Sequence, residues 1–207
     1  MNHLAHFLLC PADDHLRAGT LIADFVRGND LAALPAATEL GVRLHRRIDA
    51  TVDQSALLSG LKPLVGAPLR RYAGILIDVF FDYALIQTWD QWHAQPLARF
   101  TDAVYQSLAQ MEESMPPEVR TVSARMRSFD ALSSCATPAG CSRTLNRIAR
   151  RLRRPVDLAA GVDVLLAHEA SIVQCFRQVF PELQAAANDY LTGSSLSKRP
   201  LELSVSK

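Results

Sequence analysis

Two aspartates, Asp78 and Asp82, lie inside the most apolar stretch of the chain, residues 72–89 (YAGILIDVFFDYALIQTW). Their i, i+4 spacing sets both carboxylates on one face of a helix. The rest of that helix is apolar nearly all round, the pattern of a segment enclosed by other elements. A buried charge without a partner is strongly destabilising. Buried carboxylates are therefore paired, protonated or bound to a metal. A second polar stripe lies upstream, where His45, Asp49 and Asp53 follow one another at i, i+4, i+8 in LHRRIDATVD.

Strand signals are few elsewhere, and apolar residues recur at helical spacing between Pro- and Gly-containing breaks. The pattern predicts a short helix over 2–9 and another over 14–26, capped by the Asp13–Asp14 pair. A third helix follows Pro35 to about residue 53, with Leu40, Leu44, Ile48 and Val52 as its core stripe. The apolar helix spans about 69–92, and two more cover 96–115 and 118–132. The CATPAGC segment is expected to be a loop before a basic helix over 142–153, stopped by Pro155. A long helix over 157–180, breakable near Gly161, precedes a last one that starts at Pro181. These add up to an all-α fold: one compact domain of seven to nine helices over residues 1–192. The Ser- and Lys-rich stretch 193–207 is expected to be a mobile tail.

With 207 residues, 49% of them apolar, the chain suits one domain with a sizeable core. A formal charge of +1 gives no global pull toward nucleic acid. The four cysteines fit neither a metal pattern nor a disulfide framework, so reduced thiols in a cytoplasmic protein are expected. The first residues lack the basic start and apolar core of a signal peptide. No unbroken apolar run reaches membrane-spanning length, and no membrane partner is expected.

Four segments place an acid or an imidazole where burial is expected. They are His6 in MNHLAH, Asp24 in LIADFVRG, His45 and Asp49 in HRRID, and Asp78 and Asp82 in IDVFFDY. Mixed carboxylate and imidazole ligands suit Mn²⁺, Mg²⁺ or Fe²⁺. Arg46 and Arg47, beside His45, match the charge and planar oxygen geometry of a phosphate. The competing explanation is a buried ion-pair network between these acids and Arg46, Arg47, Arg70 or Arg71.

The segment SRTLNRIARRLRR carries Arg143, Arg147, Arg150, Arg151, Arg153 and Arg154. Positions 143, 147, 150 and 154 fall on one helical stripe, opposite Leu145, Ile148 and Leu152. Such a face is either plainly solvated or a dock for an acidic partner. No aromatic residues interleave with the arginines, which argues against a nucleic-acid partner. Nucleotide-binding glycine loops, GxSxG and HExxH are absent, as is a contiguous His-Asp pair.

The segments MNHLAHFLL, LIADFVRG, LHRRIDATVD and IDVFFDY resemble the acyl carrier protein phosphodiesterases. A weaker likeness runs from RRLRRPVDL to FRQVFPEL. The resemblance implies an all-helical fold, distantly like the HD phosphohydrolases. It also implies hydrolysis of the phosphodiester that joins 4′-phosphopantetheine to a serine of holo-acyl carrier protein, with Mn²⁺ preferred. Asp24, His45, Asp49, Asp78 and Asp82 become candidate metal-site residues. His6 falls on a motif position and is the candidate proton donor to the leaving serine. Arg46 or Arg47 would meet the phosphoryl oxygens, and the arginine helix would meet the acidic carrier protein. Some members carry His directly after the second carboxylate of the apolar helix, where this chain has Tyr83. Two other functions fit the same residues: a nucleotide phosphohydrolase, or a non-catalytic helical adaptor for an acidic protein.

Overall fold

Proline and capping residues divide the chain close to where the apolar periodicity breaks. The computed structural model describes residues 3–28, 31–67 and 69–194. Among these it contains nine α-helices and no strand. They are α1 (His3–Leu9), α2 (Asp14–Ile22), α3 (Ala36–Gln54), α4 (Ala56–Leu61), α5 (Ala73–Gln87), α6 (Leu97–Gln110), α7 (Pro117–Ser128), α8 (Pro138–Ala149) and α9 (Val162–Gly193). Short 3₁₀ turns flank several of them. The tail expected from residue 193 lies, from 195 onward, outside the described residues.

Local chemistry accounts for the starts. The Asp13 carboxylate accepts from the Leu16 amide at 2.9 Å and caps α2. Thr137 caps α8 in the same way, accepting from Gly140 N at 3.1 Å, with Pro138 at the first helical position. The segment expected as the CATPAGC loop therefore contains a helix start, and α8 begins four residues earlier than the arginine pattern indicates. It also ends earlier, at Ala149. Pro155 disfavours helix at Arg154, and the chain has already turned away by then. Arg150 thus caps α8, while Arg151, Arg153 and Arg154 lie beyond it. The four-residue stripe is reduced to Arg143 and Arg147 on the helix itself.

Pro181 does not start a helix but sits within α9. The ring removes one backbone hydrogen bond. Phe176, Val179, Phe180 and Leu183, all buried around it, hold the helix together. The irregular point in α9 is His168, with φ −125° and ψ 17°. By length and composition α9 could cross a membrane, which a search for unbroken apolar runs does not register. Here its apolar face packs on α3 and α5.

At the centre, α5 is buried on most sides against α8 and α9. Phe81 meets Phe176 edge-on at 5.4 Å, and Trp92 packs on Phe180 at 4.9 Å. Tyr83 donates to Glu169 Oε1 at 2.6 Å, joining α5 to α9.

The pairing that positions the site is α2 on α3. It is a glycine crossing: a Cβ on Gly19 would lie 2.0 Å from the Thr38 carbonyl oxygen, and one on Gly41 would lie 2.2 Å from that of Leu16. Only residues without side chains allow the two backbones to approach so closely. One and two turns past Gly41, the same face of α3 carries His45 and Asp49.

Candidate metal centre

His45 and Asp49 project from α3 toward α1, where His6 is fully buried. The two imidazoles stack face to face, with centroids 3.8 Å apart and planes within 2°. Asp49 bridges them: Oδ1 lies 3.1 Å from His6 Nε2 and Oδ2 lies 3.1 Å from His45 Nε2. These three residues can offer one ligand atom each, all within 4.8 Å of one another. The Asp49 side chain is 41% exposed, so the group opens on solvent from that side.

The contacts are short but not aligned as hydrogen bonds. Both ring nitrogens of His6 and Nδ1 of His45 are buried with no hydrogen-bond partner among the described residues. Burial pushes the His6 pKa down to about 3, against the opposing pull of Asp49, so the ring is neutral near pH 7. That state suits a ligand, not the proton donor expected from the sequence. Burial alone would raise Asp49, but His45 and His6 outweigh it and hold the carboxyl well below the usual range. Two imidazoles and one carboxylate are a donor set that fits a borderline divalent cation.

Asp24 approaches from the turn after α2, with Oδ1 3.5 Å from His45 Nε2 and Oδ2 3.5 Å from His3 Nδ1. It is not deep in a helix as its apolar neighbours suggest: α2 ends at Ile22, and the Asp24 side chain is 42% exposed. Arg46 fixes this turn, donating to the carbonyls of Gly28 and Val26 at 2.7 Å each. Its guanidinium is thus committed to backbone and not to a phosphate. Arg47 is exposed on the same helix, and neither arginine lines the cleft.

The cleft measures about 400 Å³ and is bordered by Asp24, His45, Asp49, Asp53, Lys62 and Asp78. Asp78 is half-buried there, and its pKa is raised, first by burial and further by the charges of Asp49 and Asp53. Asp82, 1% exposed, borders a second cavity with His3. The i, i+4 pair on α5 therefore divides between two spaces, and neither member belongs to the tight three-residue group. Among the described residues, Lys62 is the basic one that borders the cleft. A lone lysine in a short 3₁₀ turn carries no sequence signal for that position.

The arginine face borders a surface groove of about 610 Å³, which includes Arg143, Arg147, Arg150 and Phe129. Phe129 is 63% exposed and lies beneath Arg147, whose guanidinium carbon is 5.6 Å from the ring centroid. Sequence reasoning missed Phe129, because an aromatic residue at the end of α7 resembles any core residue.

Fold and site thus define an all-helical protein with a candidate metal centre of two histidines and a carboxylate. The chain belongs to the acyl carrier protein phosphodiesterase family, whose pattern it matches over residues 1–183. It is 30% identical over 190 residues to the acyl carrier protein phosphodiesterase of Enterobacter sp. (strain 638), covering 91% of this chain and 98% of that one. The proteins of the same name from Photorhabdus laumondii and Escherichia coli O157:H7 are each 29% identical, again over 91% of this chain and over 96% and 98% of theirs. No solved structure matches the fold.

Proposed function

We propose that this chain is a cytoplasmic, divalent-cation-dependent phosphodiesterase acting on holo-acyl carrier protein. It cleaves the bond between the carrier serine and 4′-phosphopantetheine, leaving apo-carrier protein and the free prosthetic group. The observation that carries this reading is the convergence of the buried His6 with His45 and Asp49, which line an open cleft, in a member of this family.

His6, His45 and Asp49 would hold the ion, Mn²⁺ by preference, with Asp24 beside them. When bound, a divalent ion supplies Lewis acidity toward a phosphoryl oxygen and a water acidified toward neutral pH. Asp78, facing the same cleft with a raised pKa, would take the proton of the attacking water and return it to the departing serine oxygen. Lys62 would offset phosphate charge. Arg46 acts at one remove, holding the turn that carries Asp24. Arg143, Arg147, Arg150 and Arg151, with Phe129 among them, would receive the acidic carrier protein; Arg154 lies further along the same basic segment. Such steering raises the association rate and weakens with salt.

The test is incubation of purified protein with holo-carrier protein and Mn²⁺, followed by mass spectrometry of the carrier. The expected outcome is loss of the prosthetic group's mass, abolished by chelation and restored by Mn²⁺. Cleavage indifferent to chelation would refute the metal-dependent reading. Asp78→Ala should lose turnover by about 10²–10⁴-fold while still binding Mn²⁺. Loss of Mn²⁺ binding in that variant would make Asp78 a ligand instead.

A further inference from the structure

We infer that Phe129 is the apolar anchor by which the arginine face grips the carrier protein, and that Tyr105 and Asp130 position it; the inference rests on the phosphodiesterase reading. Phe129 closes α7 with 63% of its surface exposed, at the groove bordered by Arg143, Arg147 and Arg150. A single exposed apolar residue is ordinary on a protein surface. This one is held outward by a built turn.

The turn ends α7 as a Schellman motif. The Ala131 amide donates to the Met126 carbonyl at 2.8 Å, and the Asp130 amide donates to the Arg127 carbonyl at 3.3 Å. The left-handed position of such a motif usually falls to glycine, which has no Cβ to clash. Asp130 occupies it instead, the one non-glycine residue with positive φ, 45°, among those described. The side chain kept at that cost has a partner. The Tyr105 hydroxyl donates to Asp130 Oδ1 at 3.1 Å and accepts from the Leu132 amide at 2.9 Å. A buried tyrosine of α6 thus clamps the chain just after Phe129. Across the groove, Arg147 Nη2 donates to Thr144 Oγ1 at 3.3 Å while its guanidinium lies over the Phe129 ring. Ring and charge are both set before a partner arrives, which lowers the ordering cost of binding.

The chemistry of the groove selects the occupant. Among the described residues, three arginines border it against one carboxylate, and that carboxylate, Asp130, is already engaged by Tyr105. The surface therefore suits a partner that carries acidic groups around an apolar residue. Aromatic residues and arginine are the side chains enriched where proteins meet. Arg147 already lies over the ring, where a stacked base would have to lie. A protein, the holo-carrier protein of the proposed reaction, thus fits this face better than a nucleic acid. Its acidic groups meet the arginines, and its apolar residue meets the open part of the Phe129 ring.

Titration calorimetry of holo-carrier protein on the metal-free full-length protein measures affinity without turnover. Phe129→Ala should weaken binding at least about tenfold, the scale of an interface anchor. The factor should be the same at low and high salt, because apolar burial is not screened as charge is. Should circular dichroism show that this variant is unfolded, Phe129→Gln supplies the same comparison. Asp130→Gly suits the backbone of the turn but frees the Tyr105 hydroxyl, so it should melt with wild type and bind severalfold more weakly. Asp130→Asn, which still accepts from Tyr105, should restore the affinity. Unchanged affinity in the folded Phe129 variant, or a loss that vanishes at high salt, overturns the anchor. Asp130→Asn that binds as weakly as Asp130→Gly overturns the positioning role. An oligothymidylate that binds wild type and not the Phe129 variant overturns the protein partner in favour of a nucleic acid. Wild type that binds holo-carrier protein through Phe129 yet leaves it intact with Mn²⁺ overturns the phosphodiesterase reading and leaves the anchor standing. Wild type that neither binds nor cleaves it overturns both.

Discussion

Replacing Gly41 with alanine should unfold the site before it unfolds the protein. The new methyl carbon would lie 2.2 Å from the Leu16 carbonyl oxygen, short of the 3.4 Å of ordinary contact by 1.2 Å. The obstacle is backbone on a helix, so no side chain can swing aside. Gly19 faces the Thr38 carbonyl across the same crossing, so α2 and α3 cannot slide past each other to relieve the clash. Overpacking of this kind costs about 1–3 kcal/mol, against which alanine returns at most about 1 kcal/mol of helix propensity. A backbone obstacle puts the cost at the upper end, and a domain of this size loses roughly 2–4 °C per kcal/mol. The expected fall in Tm is therefore about 4–8 °C. The larger effect is local. His45 and Asp49 ride on α3, whereas His6 is carried by α1, so a retreat of α3 parts the donors. A misplacement of about 1 Å can cost a hundredfold in rate. Thermal melts, Mn²⁺ titration and turnover of holo-carrier protein measure the three effects. Gly60→Ala, on α4 with nothing within 4 Å of its new Cβ, is the control and should melt at or slightly above wild type. A Gly41→Ala protein that melts with wild type and binds Mn²⁺ equally well would refute the close-approach argument.

Asp49→Asn should weaken Mn²⁺ binding by more than about 100-fold, because even outer-shell partners of metal ligands are worth 10–100-fold; calorimetry reads the change, and retained affinity would move the centre elsewhere. Arg143→Glu with Arg147→Glu should raise KM for the carrier protein severalfold and flatten its salt dependence, leaving Mn²⁺ affinity as it is. Tyr83 has its pKa pushed up to about 12, by burial first and then by the Glu169 hydrogen bond. The folded state thus holds this proton more tightly than the unfolded state, so the associated stability is complete below pH 10 and is lost as pH rises toward 12. By pH 11 the loss is roughly 1 kcal/mol, and Tyr83→Phe should remove that part of the alkaline slope in denaturant titrations.

The sequence exposed phase and hid partners. Helical spacing alone put His45 and Asp49 on one face, and the Asp13 cap and Pro35 marked where α2 and α3 begin. The end of α2 was not legible. Arg46 draws the Val26 and Gly28 carbonyls onto α3, a contact between segments twenty residues apart, and it moves Asp24 from a buried helix to an exposed turn. The equivalence of Asp78 and Asp82 misled for a related reason. On a helix surrounded by others, residues one turn apart meet different neighbours, so Asp78 borders the cleft with Asp49 while Asp82 borders the cavity with His3. Periodicity names a face of a helix, and only tertiary packing says which space that face meets. Lys62 and Phe129 were invisible for want of any pattern, since their places depend on loops and helix ends.

The stacked histidines bear on the two explanations that the sequence left open. A buried ion-pair network has to satisfy its members, because each buried polar group left unpaired costs about 1–3 kcal/mol. Here Arg46 turns to backbone and Arg47 to solvent, so neither neutralises Asp49. The two imidazoles instead crowd one carboxylate with parallel rings 3.8 Å apart, three of their four nitrogens lacking a hydrogen-bond partner among the described residues. A second proton on either ring would only add like charge beside its neighbour. A cation held by Asp49 and both Nε2 atoms would give His6 Nε2 a partner and balance the carboxylate. The same three residues could offer a divalent cation one ligand atom each, and the cost of assembling such a set is one that metal binding can offset.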